Sequence, residues 1–477
     1  MIIRSFSARL LSGVTLAASL LGLASCGQNL YKFPQYTFAN RPIPPSQLAN
    51  RVMVGLTSGF GGGRLQILDA NRDIRSNVQN TIPIFGITGY GGAFPSTILN
   101  FPEQSRGFVY SPTDGSFTII DYGKESAAGN AASFPARSSG ITIADTFAAA
   151  YSAEETAGIF VVADIANGRN FTFNLPAAYR VFTNQGNTIV LVMTRNNNNI
   201  YRLVKLNSLQ VPPPGATDCQ PVILPVYCVV PVPGSFDRPT NAYFSLDGSN
   251  VYVLNSGPEY SGTTASVSVL NTSGLTTDTI PTAVPYPSPV VANIPLPGGA
   301  TVALASGNTL YVAGQQRLPD GLFAGNLSTI SLTSNTVTGK YSISDGTHTK
   351  MLFADDNTLW IGSQFCATGE RAKLGQNYNC LTRFDLGKLT AAIIPAVTPG
   401  SSTAVVPYPN GDNNQYYYGD LTGLCWVQNL HKIYTAYGGQ VHAFNTLDGS
   451  EINNQYITVQ GTALDVAYMD ALTNAAN

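Results

Sequence analysis

The chain has 477 residues, of which 11% are charged, and its 25 lysines and arginines against 27 aspartates and glutamates leave a net charge of −2. That balance supplies no cationic field to gather phosphate backbones, which argues against nucleic acid as a partner. A hydrophobic content of 44% argues against disorder, and 46 glycines and 30 prolines beside 24 tyrosines and 22 phenylalanines are the composition of short strands joined by many turns.

The chain opens with Arg4 and Arg9, continues in an apolar run from Leu10 to Leu23, and closes this first segment with Leu23-Ala24-Ser25-Cys26-Gly27. The run is broken by Ser12, Gly13, Thr15 and Ser19 and falls short of the roughly 20 apolar residues that a spanning helix needs. The segment resembles an export signal ending in a bacterial lipoprotein lipobox. The resemblance implies that the Cys26 thiol is acylated, that residues 1–25 are removed, and that the mature chain begins at Cys26. One acyl chain binds a membrane only marginally, whereas the several chains the resemblance implies make a lasting anchor. Gly27 stands where such proteins carry an Asp for inner-membrane retention, so the expected destination is the outer membrane, facing either the periplasm or the surface. The rival readings are an ordinary cleaved signal peptide and a membrane-spanning anchor.

Residues 26–50 read as a polar, proline-containing linker and residues 51–477 as one domain. From Arg51 onward one theme recurs, an apolar strand, a turn or loop, and a second apolar strand that tends to end in Asp or Asn. The second strands are Arg64 to Asp69, Phe117 to Asp121, Ile159 to Asp164, Tyr201 to Asn207, Val267 to Asn271, Thr329 to Thr333, Thr382 to Asp385 and Val441 to Asn445. Seven of them have a recognisable predecessor, such as Val52 to Gly55, Val251 to Asn255 and Ile433 to Ala436, often after a turn signal like Leu246-Asp247-Gly248-Ser249-Asn250. A period of roughly 50 residues with four strands per unit is a propeller signature. The units resemble the YVTN and NHL type of β-propeller repeat. The fold class expected is therefore all-β, an eight-bladed propeller of four-stranded blades. Seven is the alternative count, because the third unit (Ile141 to Asp145, Phe147 to Tyr151) lacks an Asp-Gly turn.

The first unit lacks an innermost strand, and a spare segment, Ala463 to Met469, follows the last. Joined in one blade, the two termini would close the ring and remove exposed strand edges. Long departures follow the fourth unit, around Pro212-Pro213-Pro214, and fall at Gly257 to Thr264, Gln315 to Gly325 and Cys366 to Cys380. All but the first lie between the two named strands of a unit, so they should crowd one face, where loops on a rigid scaffold carry binding chemistry.

With Cys26 assigned to lipid, Cys219 with Cys228 and Cys366 with Cys380 are the candidate disulfides, each closing an insertion loop in an oxidising compartment. The competing reading leaves all five remaining cysteines reduced and buried. Cys425, within Leu424-Cys425-Trp426-Val427, is expected to be a buried free thiol.

Chemistry is sparse. The three histidines, His348, His431 and His442, sit in unrelated positions and are expected to be structural. No Gly-x-Ser-x-Gly elbow, phosphate-binding glycine loop or His-Glu-x-x-His occurs, so no catalytic residue, metal ligand or cofactor site is assigned. Glu103, Asp145, Asp247, Asp355, Asp356, Asp420, Asp465 and Asp470 lie on or beside innermost strands. They would serve a divalent cation if the chain resembled lactone-opening propeller enzymes, although the turn positions of Asp247, Asp355 and Asp356 explain those three without a ligand. Asn196 to Asn199 read as a plain loop tip. Tyr416-Tyr417-Tyr418 and Trp426 are candidates for a ligand platform, with blade packing the stronger expectation for Trp426. The function expected is a lipid-anchored, exported binding or scaffold module at the cell envelope, taking a protein or carbohydrate ligand on its loop face and needing no cofactor. The alternatives are a lactonase-like hydrolase with a cation in the channel and a subunit of an envelope assembly.

Overall fold

Eight antiparallel sheets follow one another around a ring in the computed structural model, which describes residues 41–477 apart from 59–60, 74–84, 209–210, 221–223, 367–379, 395–418, 453–456, 458 and 475–477. The signal segment with Cys26 and the run Tyr416 to Tyr418 lie outside the described residues. The count of eight blades holds. From the channel outward, blade 2 is Thr97–Phe101, Arg106–Ser111, Ser116–Asp121 and Ser126–Ser133, and blades 3 to 7 repeat the pattern. Blades 1 and 8 have three strands each, and isolated bridges (Gln66 with Gly86, Val441 with Ile457) supply the fourth position.

Burial explains why these residues form these strands. The second and third strands of a blade are covered on both faces and read as unbroken apolar runs, as in Val190–Thr194, all of whose residues are buried. The outer strands alternate at period two, Arg169–Asn174 between buried and exposed over its last four residues and Thr336–Ile343 between exposed and half-buried. The apolar core is divided accordingly, with separate clusters in the gaps between neighbouring blades, for example Phe101, Phe108, Phe117 and Val161 between blades 2 and 3.

The termini close the ring as expected. Thr462–Tyr468 pairs antiparallel with Arg51–Thr57, Val52 opposite Tyr468 and Gly55 opposite Asp465, and so supplies the innermost strand of blade 1. The last residues of the expected linker also join the ring, since Leu48 is buried in the gap between blades 1 and 2 and Ser46 donates from its amide to Glu125 at 2.8 Å.

The third unit is a regular blade whose first turn is unusual. Phe147 adopts a left-handed φ of 52°, which costs a bulky residue energy that its surroundings must offset. Its ring lies 5.0 Å from Phe101 and 5.3 Å from Phe108, with the Arg106 guanidinium 4.9 Å above it. An aromatic cluster does here what an Asp-Gly turn does elsewhere.

Two of the long departures differ from expectation. Gln315 to Gly325 is mostly strand, because Thr309–Arg317 and Phe323–Ser331 extend their hairpin to a short tip. The departure after the fourth unit builds a fifth strand, Asp218–Gln220, on the outer edge of blade 4. Cys219 and Cys228 are disulfide-bonded, directly opposite each other on neighbouring strands, so this bridge staples a strand pair and does not close an open loop. Cys366 and Cys380 are likewise bonded, across 14 residues, and Cys425 is a buried free thiol. The chain-entropy model gives about 3 kcal/mol for a loop of this length. The double variant Cys366→Ser/Cys380→Ser should therefore show a lowered urea midpoint, and an unchanged midpoint would refute a stabilising bridge.

Candidate functional site

Connections between second and third strands, and those from an outer strand to the next blade, all emerge on one face of the ring. The insertion of blade 5 rises on that face. Gly257–Tyr260 forms one short 3-10 turn that leans onto blade 6, where the Glu259 carboxylate accepts from the Gln315 amide at 2.9 Å and from its side-chain nitrogen at 3.2 Å. The Tyr260 side chain reaches the neighbourhood of Thr347, the first residue of the innermost strand of blade 7. On the other side the Arg195 guanidinium of blade 4 lies 5.9 Å from the Tyr260 ring. Contacts from blade 4 to blade 7 carry this turn over the channel mouth.

Around it stands a cationic and aromatic group. Arg195 lies 4.4 Å from the Tyr179 ring and its Nε donates to Glu155 at 2.7 Å, so one guanidinium is held by a ring and a carboxylate. Arg180, on the innermost strand of blade 4, donates to the Thr240 carbonyl of blade 5 at 3.1 Å. Arg238 donates to the Asn196 carbonyl and, at 3.3 Å, to that of Ser261. The return of the insertion is fixed by Asp237, which accepts from the amides of Thr263 and Thr264, each at 2.7 Å. Partial burial alone would raise the Asp237 carboxyl, yet hydrogen bonds from Thr263 and Thr264 and the Arg238 charge hold it below its usual range.

Glu259 is the titrating member. Burial pushes its carboxyl up to about 7, against the hydrogen bonds from Gln315 and the Arg180 charge. The folded pKa lies above the ordinary 4.5, so between those values the folded state holds a proton that the unfolded chain has released. The insertion is therefore held best in acid and loses stability as pH rises toward 7, by at most about 1.4 kcal/mol per pH unit for one proton. Hydrogen exchange at the Gln315 amide should accelerate across that window beyond its intrinsic pH trend. Glu259→Gln should remove the excess, and an unaltered profile in that variant would refute the assignment.

Below the mouth, innermost strands of blades 1, 2, 3, 6, 7 and 8 line a channel cavity of about 360 Å3. Its polar groups include Asn100, Thr142, Thr349 and the Lys350–Asp465 pair at 2.9 Å. The Thr349 hydroxyl is buried with no partner.

The structure does not bring the eight sequence-predicted carboxylates together. Glu103 and Asp145 are both tied to Asn474 at the opposite mouth. Asp470 pairs with Arg51 at 2.6 Å, and Asp247 accepts from Ser245 and Ser249 within its own turn. Asp355 accepts from the His431 amide, Asp356 engages the His431 ring, and Asp420 accepts from the Phe365 amide. Asp465 alone lies in the cavity, bonded to Lys350. Among the described residues no group of three or more His, Cys, Asp or Glu side chains could hold a metal ion.

The histidines are dispersed. His348 is fully buried, its Nε2 meets the Ser344 carbonyl at 2.8 Å, and burial lowers its pKa to about 4, so the ring stays neutral. His442 meets Glu451, and His431 is exposed beside Asp356. Trp426 packs between blades 8 and 1 and between blades 7 and 8. Asn196 to Asn199, expected as a plain tip, clasps Arg238 through the Asn196 carbonyl and the Asn198 side chain. Sequence reasoning missed Arg180, Arg195, Arg238, Glu259 and Tyr260. The one available signal was the position of the insertion from Gly257 to Thr264.

No model of a known protein family matches the chain, and no curated protein sequence does. Solved structures do match. Dihydro-heme d1 dehydrogenase NirN in complex with DHE superposes with a TM-score of 0.53 at 13% identity, over 90% of this chain and 79% of that one. The C-terminal WD40 domain of Sif2 reaches 0.49 at 9% identity, covering 83% of this chain and 92% of that one. Apo AztD from Citrobacter koseri reaches 0.44 at 10% identity, covering 88% and 98%. The likeness to NirN is one of fold, an all-β propeller, and at that identity it says nothing of activity.

Proposed function

We propose that this chain is an exported β-propeller, tethered to the envelope through a lipidated Cys26, that works as a binding or scaffold module. The carrying observation is the composite surface at the channel mouth, where Tyr260 of the blade 5 insertion stands beside Arg195 of blade 4, whose guanidinium lies over the buried Tyr179 ring, with Arg180 of blade 4 bonded across to blade 5. Rigid rings and guanidinium groups held by hydrogen bonds give contact area at small entropic cost, and blades that pack wedge to wedge keep such a surface in register. Export is supported by the two disulfides, which persist in oxidising compartments. The outer-membrane destination and the YVTN or NHL type of repeat rest on the resemblances in the sequence.

The ligand is a protein or a carbohydrate taken at this mouth. Full-length protein carrying Cys26 should label with radioactive palmitate in a bacterial host and pellet with membranes. Cys26→Ser should abolish both, and membrane association persisting in Cys26→Ser defeats the anchor. For the binding surface, envelope extracts passed over the wild type and over Arg195→Ala/Tyr260→Ala should differ in one retained species. Identical eluates would overturn the mouth as the binding face.

A further inference from the structure

A cavity of about 470 Å3 lies at the outer rim between blades 4 and 5. Its walls are mostly apolar. Val291 comes from the outer strand of blade 5, Leu275, Ile280, Pro285 and Tyr286 come from the loop that precedes that strand, and Arg202 comes from the third strand of blade 4. The loop is rich in proline, with Pro281, Pro285, Pro287 and Pro289 all lining the cavity, and proline has little backbone freedom left to lose when a ligand orders its surroundings. The loop is also braced from behind. The Tyr286 hydroxyl donates to the Pro214 carbonyl, and Ile280 and Tyr286 pack in one cluster with Cys219 and Cys228, the disulfide-bonded pair on blade 4. The cavity is preformed.

Arg202 is the unusual member of this lining. It is 5% exposed, yet no carboxylate among the described residues pairs with it. Its guanidinium donates to the Thr276 carbonyl at 3.0 Å and to the Thr279 carbonyl at 2.8 Å, which satisfies two of its five N–H groups. Carbonyl dipoles orient the group without neutralising it, and burial lowers its pKa to about 10. A buried cation of this kind is costly unless an anion meets it. An anion able to reach it would enter a space walled mostly by rings and aliphatic groups, with Asn271, Ser273, Thr282 and Ser288 among the polar exceptions.

We propose that this rim cavity binds an apolar molecule carrying a single carboxylate, with the carboxylate on Arg202 and the apolar body against Ile280, Pro285 and Val291. The site is separate from the channel mouth and stands or falls without it. Charge-assisted hydrogen bonds to a guanidinium are the stronger kind, and the apolar body adds area burial. Acetate, with the charge alone, and 1-octanol, with the chain alone, should therefore both bind more weakly than octanoate.

Calorimetric titration of the oxidised protein tests this. Octanoate should bind at least about tenfold more tightly than 1-octanol, and acetate should give no measurable heat. Arg202→Gln should bring octanoate down to the affinity of 1-octanol. Since Arg202→Gln also removes two bonds to the loop, Ala283→Trp is the companion variant. It leaves Arg202 untouched, fills the cavity from an exposed rim position, and should abolish both ligands. The proposal is overturned if octanoate does not bind the wild type, if octanoate and 1-octanol bind it equally, or if either variant binds octanoate as the wild type does.

Discussion

Arg51→Ala should lower the stability of the ring by about 3–5 kcal/mol, the range found when one partner of a buried ion pair is removed. Arg51 is the hub of the seam. It is 3% exposed, its NH2 group meets Asp470 at 2.6 Å, and its NH1 group meets Glu125 at 2.9 Å and the Tyr122 carbonyl at 2.7 Å. Its own amide donates to Asp470 at 2.7 Å, and Ser46, on the incoming chain, donates to Glu125 at 2.8 Å. One side chain thus ties the beginning of the ring, the end of the closing strand and the neighbouring blade 2. Burial lowers the Arg51 pKa while the Glu125 hydrogen bond and charge oppose that. Alanine would remove the guanidinium that both the Glu125 and the Asp470 carboxylates meet. The urea midpoint of the full chain measures the effect, and a loss under about 1 kcal/mol would place Arg51 among ordinary surface pairs. Arg51→Ala/Asp470→Ala/Glu125→Ala should recover part of the loss, because the buried carboxylates go with the guanidinium.

How the fold shows in the sequence follows from where each strand sits. Second and third strands are covered on both faces, so Val251-Tyr252-Val253-Leu254 and Ile159-Phe160-Val161-Val162 stand out as apolar runs. Innermost and outermost strands have one wet side and carry short mixed segments such as Gly140–Ile143 and Ser126–Ser133, whose burial is only partial. Ring closure was legible because the first unit lacked a strand and the last had one to spare. The turn at Phe147 was not, since the aromatic cluster that holds its left-handed backbone comes partly from a different blade. The same reason hid the mouth. Arg180 comes from an innermost strand and Arg195 and Tyr260 from two separate connections, and only the ring geometry brings them to one place. The sequence-predicted carboxylates failed as a group for a matching reason. Residues next to innermost strands share a radius but differ in height and blade, and each found a local donor first.

Asp465→Ala is the second substitution with a large expected effect, about 3 kcal/mol or more, and it acts on the wall of the channel itself. Asp465 is 1% exposed and its carboxylate accepts from Lys350 Nζ at 2.9 Å, from the Ile98 amide at 2.9 Å and from its neighbour's amide at 3.0 Å. The bond to Lys350 runs from blade 1 to blade 7 past the innermost strand of blade 8. Blade 8 makes room with a glycine, because a Cβ on Gly423 would lie 2.8 Å from the Asp465 Cα and 2.7 Å from the Val466 nitrogen. Alanine at 465 strands a buried amide on blade 2 and a cation on blade 7, each costing about 1–3 kcal/mol when left unsatisfied. The lysine is half the smaller problem, since its side chain is 31% exposed and can turn toward channel water. Lys350→Met alone should therefore cost less than Asp465→Ala, and adding it to Asp465→Ala should recover a small part of the loss, because the unpaired cation goes with it. Asp465→Asn keeps one acceptor oxygen and should fall between the two. Equal losses for Lys350→Met and Asp465→Ala would mean that the ion pair, and not the backbone amides, holds the closing strand in place.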